Sequence, residues 1–533
     1  MLGRLIASGF DPVARHLQHP PPLASTKTMQ AVFDQGACDP CPTTFNMAAY
    51  VLEQATVQPG KTALCVVGAG GIETWTYGDL AGAVQRMAAA LGAAGLVAGD
   101  RVLLCLGNTA DFPVLYLAAI AADILPVPVS PALTGPELDT IVRLISPDLI
   151  ISGAGGQLPL SCHGRHMAVA DLHAPPNPDP FTFVMGDPNR PAYVIFTSGT
   201  GGQPRAVVHA HRAIWARRMM WQGWYGITPS DRMLHAGAFN WSYTLGTGLM
   251  DPWAIGATAY VAGHDIDIHD LGGLMSQHDI TLFAAAPGVY RRMLRRALPH
   301  LPRLRHGLSA GEKLPAAVRT DWHSATGRPI YEAFGMSECS TFISQPPDRR
   351  TTANTIGYPQ PGRRVAIVDE NGPVSCDTPG QIAVSRNDLG LMLRYLDAPD
   401  VTAACFQGEW FCTGDAGAMA PDGAITYLGR VDDMMTAGGY RVSPVEVENA
   451  MRGHAEIVDC AAVDGVTGDG TTLITLFYIA DHDIAPETMA AYAALTLARY
   501  KQPRVFKRID ALPRGANNKI QRRVLRDGAA RHI

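Results

Sequence analysis

The sequence predicts an α/β protein with three parts: a large N-terminal body of stacked mixed and parallel sheets with helices, a small β-rich subdomain, and a small α/β C-terminal domain. Three observations predict it. From Thr76 to about residue 290, short apolar runs alternate with helical patterns, which favours parallel strands covered by helices. Beyond Gly357, Asn371-Gly372 and Asp422-Gly423 each sit between alternating apolar residues, the strongest short signal of a hairpin. From about Asp432 the mixed pattern returns for a stretch of about 100 residues, the size of a small domain. The expected body is therefore 1–430, with its β-rich subdomain at about 357–430, and the C-terminal domain is 432–533.

The elements follow in order. A helix is expected over 76–91: Thr76 can cap it, Asp79 stands at the capping-box position, and Leu80, Val84, Met87 and Leu91 share one face. A strand at 101–106 and a helix at 113–122 come next, then a strand at 148–152. In the β-rich part, 365–369 pairs with residues from Val374 onward, and 417–420 with 424–428. The C-terminal domain reads as a helix at 444–451, strands near 457–463 and 473–479, and a helix near 486–497.

Composition removes several classes of function. The 533 residues carry 43 Lys+Arg against 48 Asp+Glu, a net charge of −5, without the basic excess that nucleic-acid binding needs. Hydrophobic residues are 47% and charged residues 17%, which excludes a disordered chain. Cys38 and Cys41 form a lone C-x-x-C, half of a structural zinc site at most, and read as a surface loop. The apolar stretch 114–129 is interrupted by Asp123, Pro126 and Pro128, so no membrane span is expected. Residues 1–18 faintly resemble an amphipathic transit peptide and lack a secretory apolar run, and a soluble cytoplasmic protein is expected by elimination. A homodimer is left open.

The most informative stretch runs from Tyr193 to Arg205: a β-branched apolar strand, then Thr197-Ser198-Gly199-Thr200-Gly201-Gly202, then Arg205. Glycines let backbone N–H groups converge on an anion, hydroxyls add donors, and Arg205 adds permanent charge for phosphate oxygens. No Walker A spacing and no dinucleotide fingerprint can be drawn here.

This loop resembles the signature of the adenylate-forming superfamily, which includes acyl-CoA synthetases, adenylation domains and luciferase. Further blocks match in the family's order: Ser309-Ala310-Gly311-Glu312; Tyr331 to Glu338, with Ala333-Phe334-Gly335-Met336-Ser337; Thr413-Gly414-Asp415; Gly429 to Asp433, containing Arg430; Gly438-Gly439-Tyr440-Arg441; and 513–525 with Lys519. The resemblance, closest to benzoate-type and medium-chain ligases, implies a ligase that joins a small carboxylic acid to AMP, releases pyrophosphate, and passes the acyl group to coenzyme A. It implies ATP and Mg²⁺, with Thr197, Glu338 and Lys519 as the catalytic set and Glu338 on the metal. The phosphate loop, the 309–312 and 333–337 blocks, Asp415, Arg430 and Lys519 would hold the nucleotide. Residues 438–441 would face CoA, and Asp432, at about 431–433, would be the hinge of a mobile C-terminal domain. Two departures stand out: Arg205 replaces the usual Lys, and Asn517-Asn518 precedes Lys519 where Ser/Thr-Gly is usual.

For the acid, the segments 239–247, 284–290, 309–310 and 333–340 are the candidates. Phe239, Asn240, Trp241, Phe334 and Gly335 are the expected pocket, with Tyr243 completing an aromatic wall. Asn240 stands where amino-acid-activating relatives carry Asp, and an ammonium buried there would be unpaired. A small aryl or short-to-medium acyl group is expected. Loading of a separate carrier protein, or nucleotide binding without catalysis, are the alternatives.

Overall fold

The computed structural model of the chain describes residues 29–130, 133–153, 158–159, 164–172, 181–197, 204–350, 352, 354–437, 440–466, 472–515 and 520–530. The body is built on a nine-stranded sheet whose centre is parallel. From Ile330–Met336 it passes through His306–Ser309, Leu282–Ala285, Arg232–His235 and Thr258–Ala262 to Thr62–Gly68, with antiparallel strands at both ends. A four-stranded parallel sheet (Leu125–Pro128, Arg101–Cys105, Leu149–Ser152, Arg165–Ala168) lies in the N-terminal part.

Local chemistry explains the elements. Thr76 caps the helix Tyr77–Ala93 and exchanges hydrogen bonds with Asp79, as the spacing requires. The helix Asp111–Ala121 is buried almost all round, so the apolar stretch that begins here is core of the body. No helix among the described residues is long and apolar enough to cross a membrane.

The β-rich part is an antiparallel sheet of Arg364–Asp369, Gly380–Ser385, Trp410–Met419 and Ile425–Arg430, with shorter strands at its margins. The Asp422-Gly423 hairpin forms as expected, with Gly423 at φ +87°. At Asn371-Gly372 the returning strand is only Gly372–Pro373. Residues 375–379 then detour to bridge Gln30, and the long partner of Arg364–Asp369 is Gly380–Ser385. Val32–Asp34, more than 300 residues away in sequence, adds an edge strand that the hairpin signals could not reveal.

The C-terminal part contains the ribbon Met435–Ala437/Tyr440–Val442, the sheet Asp459–Val466, Thr472–Ile479 and Val505–Arg508, and helices Pro444–Met451, Pro486–Thr496 and Arg522–Ala530. It has its own apolar core around Met435, Val447, Met451, Ile474 and Leu476. Between the two parts lies one short turn, Val431–Asp433.

Candidate active site

The nucleotide side is set by hairpin register. Asp415 and Arg430 face each other across the strands, and the Arg430 Nη1–Asp415 Oδ2 distance is 3.0 Å. Arg430 also donates to the Thr413 carbonyl at 3.1 Å, and Tyr427 Oη donates to Asp415 Oδ1 at 3.0 Å. Burial and the Asp415 carboxylate together push the Tyr427 phenol well up, so it stays a donor. Tyr427 leans on Phe334, with ring centroids 5.6 Å apart, and Phe334 packs edge-on against Phe342. Gly335 is required here, because a Cβ would stand 2.2 Å from the Ser340 carbonyl oxygen.

On the phosphate side, Pro191–Thr197 and Arg205–Ala210 form an antiparallel hairpin in which Thr197 is opposite Arg205. Arg394–Tyr395 adds a third strand, with Tyr395 against Val207. The Arg205 guanidinium lies 5.4 Å from the Tyr395 ring centroid, and Tyr395 Oη donates to Glu338 Oε1 at 2.7 Å. Glu338 is buried, and its carbonyl accepts from the Met392 N–H at 2.7 Å. The loop's cation and the candidate metal carboxylate are thus joined through one phenol. No group of three His, Cys, Asp or Glu gathers here or elsewhere among the described residues. A single buried carboxylate fits Mg²⁺, which takes one or two carboxylates together with phosphate oxygens and water, and does not fit a zinc centre.

The acyl side is different in character. Gly311, at φ +96°, lets the Trp241 ring approach so closely that a Cβ would lie 2.7 Å from Cζ2. Trp241 meets Tyr243 edge-on at 5.1 Å, and Tyr243 meets His235 at 4.4 Å. Beneath them Arg217 is bound to Asp251 at 2.6 Å, with Tyr225 and Thr247 also on this network. Burial works against the Arg217 cation, but Asp251 more than offsets it; burial pushes the Asp251 carboxyl up, and Arg217 pulls it back. Tyr225 and Thr247 come from two π-helical segments, Trp221–Tyr225 and Thr244–Met250, a wide-turned conformation that recurs at functional sites. Ser340, a further Arg217 partner, holds φ +60°, a strained value for serine.

The four expected wall aromatics do not form one wall. Trp241 and Tyr243 are together, but Phe239 is buried against Phe112 at 5.2 Å, and Phe334 belongs with Tyr427 on the nucleotide side. Asn240 Oδ1 and Ser309 Oγ are buried without a hydrogen-bond partner. Ala310 and Ala333 are buried beside Tyr243, and Glu312 is half-buried next to Gly311. Met336 and Ser337 lead from the strand Ile330–Met336 to Glu338. Ser198, Gly199, Thr200, Gly201, Gly202, Gly438, Gly439 and Lys519 lie outside the described residues, as do residues 1–18. So do the side chains of Asp432, Tyr440 and Arg441. Cys38 and Cys41 are free thiols.

Sequence reasoning missed Tyr395, Tyr427, Arg217 and Asp251. Only Tyr427 had a signal: counting back from Asp422-Gly423 places Asp415 opposite Arg430 and Tyr427 close by.

An α/β body carries a separate C-terminal unit, and the described residues of these blocks gather in two clusters, Asp415–Arg430–Tyr427–Phe334 and Arg205–Tyr395–Glu338. The family model for AMP-binding enzymes matches residues 51–396, more than half of the chain. The benzoate–CoA ligase of Thauera aromatica is 30% identical over 488 residues, covering 85% of this chain and 90% of that protein. The 3-hydroxybenzoate–CoA ligase of Aromatoleum sp. (strain CIB) is 29% identical, covering 86% and 92%. The crystal structure of the anthranilate CoA ligase AuaEII in complex with anthranoyl-AMP superposes with a TM-score of 0.80 at 25% identity, covering 92% of this chain and 98% of that one. The chain belongs to the AMP-binding enzyme family. Within it, this is an AMP-forming acid–thiol ligase.

Proposed function

We propose that this enzyme is an ATP-dependent carboxylic acid–CoA ligase acting on a small aryl or short-to-medium acid. In the first step a carboxylate oxygen attacks the α-phosphorus of ATP, the bond to the bridging oxygen breaks, and pyrophosphate leaves. In the second step the CoA sulfur attacks the acyl carbon and AMP leaves with the electron pair, the thiol proton passing to solvent.

The observation that carries this reading is the Arg205–Tyr395–Glu338 connection, which brings the phosphate-loop cation and a buried carboxylate to one place. Two anions must meet in the first step, so charge and donors held in advance are what the reaction needs. Asp415 and Arg430 are suited to accept from and donate to the ribose hydroxyls, and Phe334 offers an aromatic edge to a base. Mg²⁺, held by Glu338, would draw charge from the phosphate oxygens. Lys519, by its place in the terminal block, would bridge the carboxylate and α-phosphate. A turn of the C-terminal domain about Asp432 would then exchange Lys519 for the 438–441 face, keeping water from the adenylate. The domain limits 1–430 and 432–533 belong to this reading, supported by the separate C-terminal core and the lone turn Val431–Asp433. A cytoplasmic location fits an enzyme that draws on free ATP and CoA.

The test is exchange of labelled pyrophosphate into ATP across a panel of aryl, branched and C3–C10 acids, with mass spectrometry of the CoA products. Acid-dependent exchange with an acyl-CoA product is expected. Exchange without any CoA thioester would indicate a carrier-protein acceptor, and no exchange with any acid would overturn the reading.

A further inference from the structure

Two of the segments expected to select the acid, 239–247 and 333–340, converge on one small cavity. Ser242 lines it from the first segment, Ser337 and Ser340 from the second, and Tyr116, His209 and Arg217 stand behind them. About 20 Å³ is open to the centre of a water molecule, which is room for one oxygen-sized group and too little for an aryl ring.

Two polar atoms of the lining residues, Tyr116 Oη and His209 Nδ1, are buried and have no hydrogen-bond partner. Buried polar groups are ordinarily satisfied, so each needs a partner supplied from elsewhere. The histidine's role is fixed from the other side of its ring. Nε2 lies 2.7 Å from the Ser337 carbonyl oxygen, and only an N–H can donate there. Burial pushes the imidazole down to about 4, so it is neutral near pH 7 and Nδ1 is a bare acceptor. Burial holds the Tyr116 phenol protonated, so it has a donor to offer. Arg217 brings a cation, but Asp251 balances it, so neither a second carboxylate nor an ammonium finds an uncompensated charge here. A group that accepts from Tyr116, donates to His209, carries no charge and is one heavy atom in size is a hydroxyl.

We propose that this cavity is a hydroxyl-reading subsite, and that the acid is a hydroxy-substituted aryl carboxylic acid whose hydroxyl accepts from Tyr116 and donates to His209. The proposal rests on the acid–CoA ligase reading. A buried water has the same hydrogen-bonding chemistry, and the experiment separates the two.

The full-length enzyme with ATP, Mg²⁺ and CoA is assayed for kcat/KM on benzoate and its 2-, 3- and 4-hydroxy derivatives, alongside Tyr116→Phe. One hydroxy isomer is expected to exceed benzoate by about tenfold or more, and Tyr116→Phe is expected to reduce that ratio by about tenfold. If aryl acids are turned over but every hydroxy isomer stays within about threefold of benzoate, the cavity holds only water and the subsite is overturned while the ligase reading stands. A ratio unmoved in folded Tyr116→Phe also overturns it. If no acid supports pyrophosphate release, the ligase reading itself has failed. Should Tyr116→Phe not fold, a wild-type crystal structure with the preferred acid decides: the hydroxyl within hydrogen-bonding distance of Tyr116 Oη and His209 Nδ1 supports the subsite, and the hydroxyl elsewhere overturns it.

Discussion

The molecule contains two Arg–Asp pairs of similar geometry and opposite setting. Arg217–Asp251, at 2.6 Å, is sealed beneath the acyl side, with side chains 7% and 1% exposed. Arg430–Asp415, at 3.0 Å, lies at the nucleotide side, where Arg430 is 35% exposed. The sealed pair is enclosed by Tyr225, Thr247 and Ser340, partners drawn from several segments. Among the described residues, the contacts of the open pair come from one hairpin, and guanidinium surface is left toward solvent. A buried pair has geometry so costly to disturb that it serves as a foundation, while a half-open pair can still take part in binding.

Four experiments sharpen or break that contrast, from the largest expected effect to the smallest. Arg217→Met strands the Asp251 carboxylate in the core and is expected to cost about 3–5 kcal/mol in denaturant unfolding. Adding Asp251→Leu should recover much of that loss; recovery of none would mean that the pair supports the fold in some way other than charge balance.

Acid titration probes the same sealed region. Burial pushes His209 and His306 down to about 4 and His235 to about 3, and all three lie around the acyl side. Each folded value is below the unfolded value of about 6.5, so the unfolded state binds more protons as pH falls. The stability these neutral histidines contribute is intact above about pH 6.5 and is lost as pH falls from there toward 3–4, flattening below. Denaturant midpoints measured from pH 7.5 down to 5 should fall with steepening slope, and a flat profile would mean that these imidazoles are not held neutral by burial.

Asp415→Ala should cost less stability than Arg217→Met, about 1–3 kcal/mol for the Tyr427 donor left without its acceptor, while raising KM for ATP about tenfold or more. A large loss of stability with KM unchanged would reverse the roles assigned to the two pairs. Tyr427→Phe removes one donor from Asp415 and should raise KM for ATP less than Asp415→Ala does, by a factor equivalent to about 1 kcal/mol.

The same contrast explains what could be read in advance. The open side is written locally: Thr413-Gly414-Asp415, the Asp422-Gly423 turn and Arg430 fall within eighteen residues, and hairpin register converts their spacing into contact. The alternating body, the 76–91 helix and the C-terminal elements were legible for a similar reason, since periodicity and capping act over a few residues. The sealed side is assembled from Tyr116, His209, Arg217, Ser242, Asp251 and Ser340, distant in sequence and carried by no recognisable spacing. Its partners become neighbours only after strands far apart in sequence have paired. The wall expected from Phe239 and Phe334 failed on this point, because proximity in the motif order said nothing about which core each ring enters. Val32–Asp34 was invisible in the same way.

Asp433, one residue beyond the expected pivot, is gripped by Arg522 and Arg526 of the helix Arg522–Ala530, at 3.3 Å each. Those partners are 89 and 93 residues downstream, so the turn that follows the β-rich sheet is moored by a helix remote from it in the chain. Loss of either arginine would therefore loosen a turn that neither of them adjoins in sequence.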